Sequence, residues 1–191
     1  MRGMQFKITL QGTKPPIWRR IIVPDNYSFW DLHVVIQDSF GWTDHHLHVF
    51  LINRDLEIGL PDPNDEMDGG KKCEPGWEIL IKEHFDEIGT KINYTYDFGD
   101  CWDHGVEFEK RTEEEIKTPQ CIGGERACPP EDCGGITGYV DFCKIMKRKK
   151  GEEYTEMREW FGGDYDPEHF DPSTVIFDKP KKRLRKMLDF Q

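Results

Sequence analysis

Three groups of residues have side chains and spacings suited to chemistry. The first is His45-His46-Leu47-His48. In an extended strand, residues two apart share a face, so His46 and His48 can present two imidazoles to one ion while His45 points away. Two imidazoles are half a metal site, and the plainer reading is a pair of half-exposed strand histidines. The second group is Tyr94-Thr95-Tyr96-Asp97-Phe98-Gly99-Asp100-Cys101-Trp102-Asp103-His104. A two-residue loop at Gly99-Asp100 would set Asp97 opposite Trp102, placing Asp97, Trp102 and His104 on one face and the two tyrosines on the other. A carboxylate beside an imidazole can fix its tautomer, serve as a general base pair or complete a two-His-one-carboxylate metal site. Asp97 and His104 are therefore the catalytic candidates, and His46, His48, Asp97, Trp102 and His104 the candidate binding nook. The competing reading is a buried Asp–His hydrogen bond that fixes the hairpin.

The third group is Cys121, Cys128 and Cys133, set among glycines and prolines. Three thiols in such a loop resemble a wrapping on zinc, with His104 or Cys143 available as a fourth ligand. Six and four intervening residues differ from the two-residue spacing of most zinc knuckles. The alternative is three thiols packed as small apolar groups. In Pro16-Ile17-Trp18-Arg19-Arg20, one arginine turns inward if the segment is a strand; an inward Arg19 needs a carboxylate, and Glu131 or Asp132 is the expected partner.

The elements that must position these groups follow from periodicity. Phe6, Ile8 and Leu10 alternate with polar residues, and Ile17 to Val23 forms a second strand after Pro15-Pro16. Ser28 caps a helix running to Phe40, with Asp31 three residues on and Gly41 ending it. His46 to Ile52 and Leu56 to Gly59 read as paired strands, Leu60 to Gly76 as a long acidic loop, and Glu78 to Ile88 as a short strand or a helical turn. Lys91 to Asp97 and Trp102 to Glu109 read as a hairpin. Pro119 to Gly138 is too rich in Pro, Gly and Cys for regular structure. Helices are expected over Tyr139 to Lys150, Glu153 to Phe161 and Pro180 to Leu188. Strands early and helices late predict an α+β fold, a mostly antiparallel sheet from the N-terminal half with helices on one face.

Length and charge bound the function. The 191 residues suit a single domain. With 26 basic and 37 acidic residues the net charge is −11, a sign that repels phosphate backbones. Residues 53–115 hold 19 acids and 7 bases, a local −12 that favours cations or basic partners. Nucleic-acid binding would need the basic clusters at Lys144, Lys147, Arg148, Lys149 and Lys150 or at Lys179, Lys181, Lys182, Arg183, Arg185 and Lys186, both of which read first as solvated helix ends. There is no apolar run of membrane-span length and no secretory leader, so the expected compartment is the cytoplasm. The six cysteines are then thiols or metal ligands, and the sequons at Asn26 and Asn93 are chance matches.

One ordered series is more specific: Pro16-Ile17-Trp18-Arg19-Arg20, Leu32-His33, Phe40-Gly41-Trp42 with His46-Leu47-His48, Tyr96-Asp97-Phe98-Gly99-Asp100 with Trp102 and His104, and Cys128-Pro129-Pro130-Glu131-Asp132-Cys133-Gly134-Gly135 with Gly138-Tyr139. From about Phe6 to Asp171 the chain resembles the plasmid pRiA4b ORF-three-like family, also labelled TnpR-like passenger proteins of insertion elements. The resemblance implies one α+β domain and an association with mobile DNA, and it supplies no reaction; no serine-recombinase active site is present to carry over. Cys101 stands where the family's turn motif leads one to expect an acid. The expected function is ligand or partner binding as an accessory protein, with a small molecule or protein as partner. The competing classes are a metal-dependent hydrolase using His46, His48, Asp97 and His104, and a nucleic-acid-binding module.

Overall fold

The computed structural model describes residues 1–61 and 72–189. Eight strands form one sheet: β1 (Arg2–Leu10), β2 (Ile17–Pro24), β3 (His48–Leu51), β4 (Leu56–Gly59), β5 (Lys72–Pro75), β6 (Lys91–Tyr96), β7 (Trp102–Glu115) and β8 (Gln120–Glu125). Their spatial order is β5-β4-β3-β6-β7-β1-β2-β8. Every neighbouring pair is antiparallel except β4 with β5. The helices α1 (Phe29–Phe40), α2 (Gly135–Arg148), α3 (Glu152–Phe161) and α4 (Pro180–Asp189) pack on one face, giving the expected α+β architecture. No helix among the described residues is long and apolar enough to cross a membrane.

The alternation in β1 is realised as burial: Met4, Phe6, Ile8 and Leu10 all lie in the core. Helix α1 begins as its residues dictate. Ser28 accepts from the Asp31 backbone, and Asp31 reaches back to the Ser28 N–H in a reciprocal capping box. Gly41, at φ 91°, ends it in the left-handed conformation that glycine adopts without cost. Unusually for a surface helix, α1 is buried on nearly every side, including His33, Gln37 and Ser39. One flank meets the sheet and another is covered by α4. There Arg183 binds Asp38 at 2.7 Å and Asp178 at 3.0 Å, and the Trp30 indole donates to the Pro180 carbonyl.

Several expectations are corrected. Residues 120–125, assigned to irregular structure, form edge strand β8, paired with β2 through a register shift between Arg20 and Ile21. Glycine and cysteine are compatible with an edge strand because only one side must be laddered. Of the acidic loop, residues 62–71 lie outside the described residues, while Lys72–Pro75 is a strand parallel to β4. Glu78 to Ile88 resolves to a short 3-10 turn at Ile81–Glu83.

The central hairpin is also differently registered. Tyr96 pairs with Trp102 and Tyr94 with His104, so the tyrosines share a face with Trp102 and His104. Asp97 is not in the ladder. It has φ 57°, its carbonyl accepts from Cys101, and its Oδ1 accepts from the Gly99 and Asp100 backbone at 2.9 and 3.3 Å. An aspartate side chain that captures its own turn competes with a two-residue loop, and here the five-residue turn wins.

Candidate functional site

Residues 42–48 connect α1 to β3 and bring two histidines to different surroundings. His48, the first residue of β3, points into the core, where its ring stacks on His33 of α1 with centroids 3.4 Å apart and planes 6° from parallel. His33 bonds Asp44 through Nε2 at 2.7 Å and the Tyr94 hydroxyl through Nδ1 at 2.8 Å, and Gln37 donates to the same hydroxyl at 3.0 Å. Burial, with the electrostatic influence of neighbouring His33 as a second cause, holds the His48 pKa well below the ordinary histidine value, so His48 is neutral. The ligand atoms of His33, Asp44 and His48 lie within 4.8 Å of one another. Imidazole lone pairs lie in the ring plane, so two parallel stacked rings do not aim at one ion. Both His33 nitrogens are also engaged already. This buried cluster is a hydrogen-bonded network in which His48 Nδ1 and Gln37 Oε1 have no partner among the described residues.

His46 lies before the strand begins, partly exposed, with its ring 5.9 Å from that of Tyr96. Its Nε2 is 3.1 Å from Asp132 Oδ1 and 3.7 Å from Asp97 Oδ2. The three ligand atoms again fall within 4.8 Å of one another. Each comes from a separate segment: the α1–β3 connection, the β6–β7 turn and the loop preceding α2. Asp97 is nearly buried, and its Oδ1 is committed to the turn, which leaves Oδ2 facing His46. His46 and Asp132 are 31% and 70% exposed, so solvent reaches the cluster. Tetrahedral ligands at about 2.0–2.1 Å from a zinc ion stand roughly 3.3–3.5 Å apart, close to the separations from His46.

Polar contacts of the loop before α2 hold this junction. The Tyr96 hydroxyl and the Thr43 hydroxyl both donate to Glu131, the Tyr96 oxygen also accepts from the His45 backbone, and the Trp42 indole donates to the Pro129 carbonyl. Burial and the Glu131 carboxylate push the Tyr96 pKa up, keeping the phenol a donor. Asp132 adopts φ 57°. Gly134 donates to Asp100 Oδ2 at 3.1 Å, and a Cβ on Gly135 would sit 2.6 Å from the Asp100 carbonyl oxygen. Gly134-Gly135 is thus the close approach that docks the loop on the turn.

The remaining sequence candidates are dispersed. His46 precedes the strand, which starts only at His48, and is 31% exposed whereas His48 is buried, so the two imidazoles have different partners. His104 is wholly buried, edge-on to Phe40 and Trp42 at 4.9 and 5.3 Å, and neither ring nitrogen reaches a partner at hydrogen-bond geometry. Burial pushes its pKa down to about 3, only partly opposed by the nearby backbone of Tyr94 and Trp102. Trp102 packs beside Trp42. Asp97 and His104 therefore do not meet, and the single nook of His46, His48, Asp97 and His104 is not formed.

Arg19 is buried, but its partners are three backbone carbonyls, of Ser39, Trp18 and Glu125, with Phe40 and Phe170 against the guanidinium. The expected partners Glu131 and Asp132 are engaged at the junction instead. Cys121, Cys128 and Cys133 do not converge either. Among the described residues, the groups with ligand atoms within 4.8 Å are the two His/Asp sets. Burial raises all three thiols, Cys133 to about 12, which disfavours thiolate. Sequence reasoning missed His33 and Asp44 and gave Asp132 a different role, since no local spacing links a helix residue to a strand 15 residues later.

The comparisons with other proteins agree with this fold. The pattern of the family described as plasmid pRiA4b ORF-3-like protein matches residues 2–174, which leaves α4 beyond the matched stretch. The uncharacterised protein y4hQ of Sinorhizobium fredii (strain NBRC 101917 / NGR234) is 36% identical over 166 residues, spanning 85% of this chain and 83% of its own length. The crystal structure of MM3350, a protein of unknown function from Methanosarcina mazei Go1, is similar with a TM-score of 0.78 at 37% identity, covering 92% of this chain and 98% of that one. The motifs clustered around the junction, the sheet order that assembles them and the length of the match lead to one assignment: the chain belongs to the plasmid pRiA4b ORF-3-like family.

Proposed function

We propose that this protein is a mobile-element accessory protein that binds a divalent metal ion of the zinc class through His46, Asp97 and Asp132. One observation carries the reading: three ligand atoms from three separate segments face one another at 3.1 and 3.7 Å from His46 Nε2, with solvent access on one side. A neutral imidazole with two carboxylates suits zinc, and carboxylate and water ligands also suit manganese. The turn that pins Asp97 Oδ1 supplies the supporting contact that ligating carboxylates require. The thiols at Cys101, Cys121, Cys128, Cys133 and Cys143 support a reducing, cytoplasmic setting.

The test is elemental analysis of untagged protein prepared without chelators. One equivalent of metal is expected, lost in His46→Ala and Asp132→Asn and kept in His104→Phe and Cys128→Ser. Metal-free wild-type protein that also fails to take up added zinc, or loss of metal through Cys128→Ser alone, would overturn the reading.

A second reading rests on the exposure of the site. Three protein ligands with open positions are the arrangement of catalytic rather than structural zinc, and a bound ion there would supply Lewis acidity and an activated water. Metal-dependent hydrolysis is tested by assaying ester and phosphoester substrates against the Asp132→Asn variant. Activity that survives Asp132→Asn would reject it.

A further inference from the structure

A groove of about 370 Å³ runs between α2 and α3, with room for a large side chain of another molecule. Phe142, Ile145, Met157 and Trp160 line it, together with the carboxylates of Asp132, Glu153 and Glu156. Among the described residues no base lines it. Tyr154, Met157 and Trp160, three residues apart, give α3 an apolar stripe of the kind that a helix buries against a neighbour. That burial is incomplete. No residue of α3 is fully buried, and Trp160 is left 51% exposed, although its ring stands 6.0 Å from that of buried Phe142.

The charges of the two helices are segregated. Lys144, Lys147 and Lys149 line a different cavity, shared with Arg126, Asp164 and Glu168. Arg148 bonds Glu153, and Arg158 bonds Asp164 at 2.7 Å, while Asp132 is engaged at His46. This leaves exposed Glu156, with Glu152 four residues before it and Glu159 three after it, in no ion pair among the described residues. Like charges at these helical spacings repel each other. Glu152, in the first turn, is favoured by the helix dipole, but Glu159 stands in the last turn, where an acid is disfavoured. The acidic stripe therefore works against the helix that carries it.

We propose that the α2–α3 groove docks a basic amphipathic helix of a partner protein. Its apolar side chains enter beside Phe142, Met157 and Trp160, and its lysines or arginines meet Glu152, Glu156 and Glu159. Such a helix completes the burial that α3 leaves unfinished and relieves the repulsion along its acidic stripe. The net charge of −11 steers a basic partner toward the chain. The inference stands apart from the metal reading, although Asp132 borders both sites.

The experiment is titration of the chelator-treated full chain with a synthetic peptide that carries leucines at i, i+3, i+4 and i+7 and lysines between them. Binding is read by NMR of the Ile145 and Met157 methyl groups and the Trp160 indole. Saturable shifts are expected at these three signals. Affinity should fall about tenfold or more in the Glu152→Gln, Glu156→Gln, Glu159→Gln triple variant, and likewise in Trp160→Ala. All four side chains are exposed, so both variants should melt close to the wild type. A matched peptide with glutamate in place of lysine should not bind. His46→Ala should leave peptide binding unchanged while abolishing metal uptake, which separates failure of one proposal from failure of the other. No saturable shift at the three signals, equal affinity in either variant, or equal binding of the glutamate peptide would overturn the proposal. So would wild-type shifts that change with protein concentration alone, since they would mark a second copy of the chain as the occupant.

Discussion

Two histidines separated by one residue lead opposite lives in this protein. His48 is buried, neutral and stacked on His33, in a network whose carboxylate and phenol are already bonded. His46 stands at a wet junction between two carboxylates held by different loops. Both sites contain imidazole and carboxylate within bonding range. Around His48, burial removes the charged form and stacking turns the lone pairs away from a common point. At the junction, solvent access and three ligand-type atoms within 4.8 Å of one another are what the proposed ion would need. Proximity of ligand-type residues is therefore insufficient to define a metal site; ring orientation and solvent exposure must also suit one.

The contrast can be broken most forcefully in the buried cluster. Tyr94→Phe removes the partner of His33 Nδ1 and of Gln37, leaving two buried polar groups unmatched, and should destabilise by roughly 2–4 kcal/mol in urea unfolding. A loss below half a kcal/mol would mean the network is not what closes the cluster. Next in size is the response to metal. Zinc at a hundredfold excess over its dissociation constant should stabilise the wild type by about 2.7 kcal/mol, and this increment should vanish in Asp132→Asn. Stabilisation of both proteins alike would move the ion elsewhere.

Acid sharpens the comparison further. His104 has a folded pKa of about 3, below the unfolded histidine value near 6.5. Its contribution is whole above pH 6.5. As pH falls the unfolded chain takes up a proton that the folded chain refuses, so stability is lost from about pH 6.5 down toward pH 3. His48 acts in the same direction for the same cause. By pH 5.5 the loss from His104 should be about 1 kcal/mol, and His104→Phe should flatten the urea-midpoint profile by that amount. An unchanged profile would show that His104 titrates normally. The smallest effect is at the junction without metal, where Asp132→Asn, at an exposed position, should change stability by no more than about 0.5 kcal/mol. A larger cost would make Asp132 part of the structural framework.

Much of the frame was legible from the chain alone. The Ser28 box, Gly41 stop and alternation of Phe6, Ile8 and Leu10 are local signals, and each appears where its chemistry required. The cysteine-proline loop was recognisable as needing support other than a ladder. Its polar contacts to Thr43, Trp42, Tyr96 and the 97–101 turn supply that support beside its apolar packing. The hairpin register was misjudged because Asp97 closes its own turn, a contest between side chain and backbone that sequence spacing does not settle.

Residue types and local periodicity thus determined the α+β class, the limits of α1 and the set of histidines, acids and thiols available for chemistry, while α2 begins at Gly135, inside the stretch expected to be irregular. Tertiary structure alone decided the partners. His33 reached His48 through helix packing, and Asp97 and Asp132 met His46 where two loops cross. Arg19 found carbonyls in place of a carboxylate. Such meetings depend on where distant segments come to rest and how much water remains between them, and neither quantity is written in the spacing of residues along a chain.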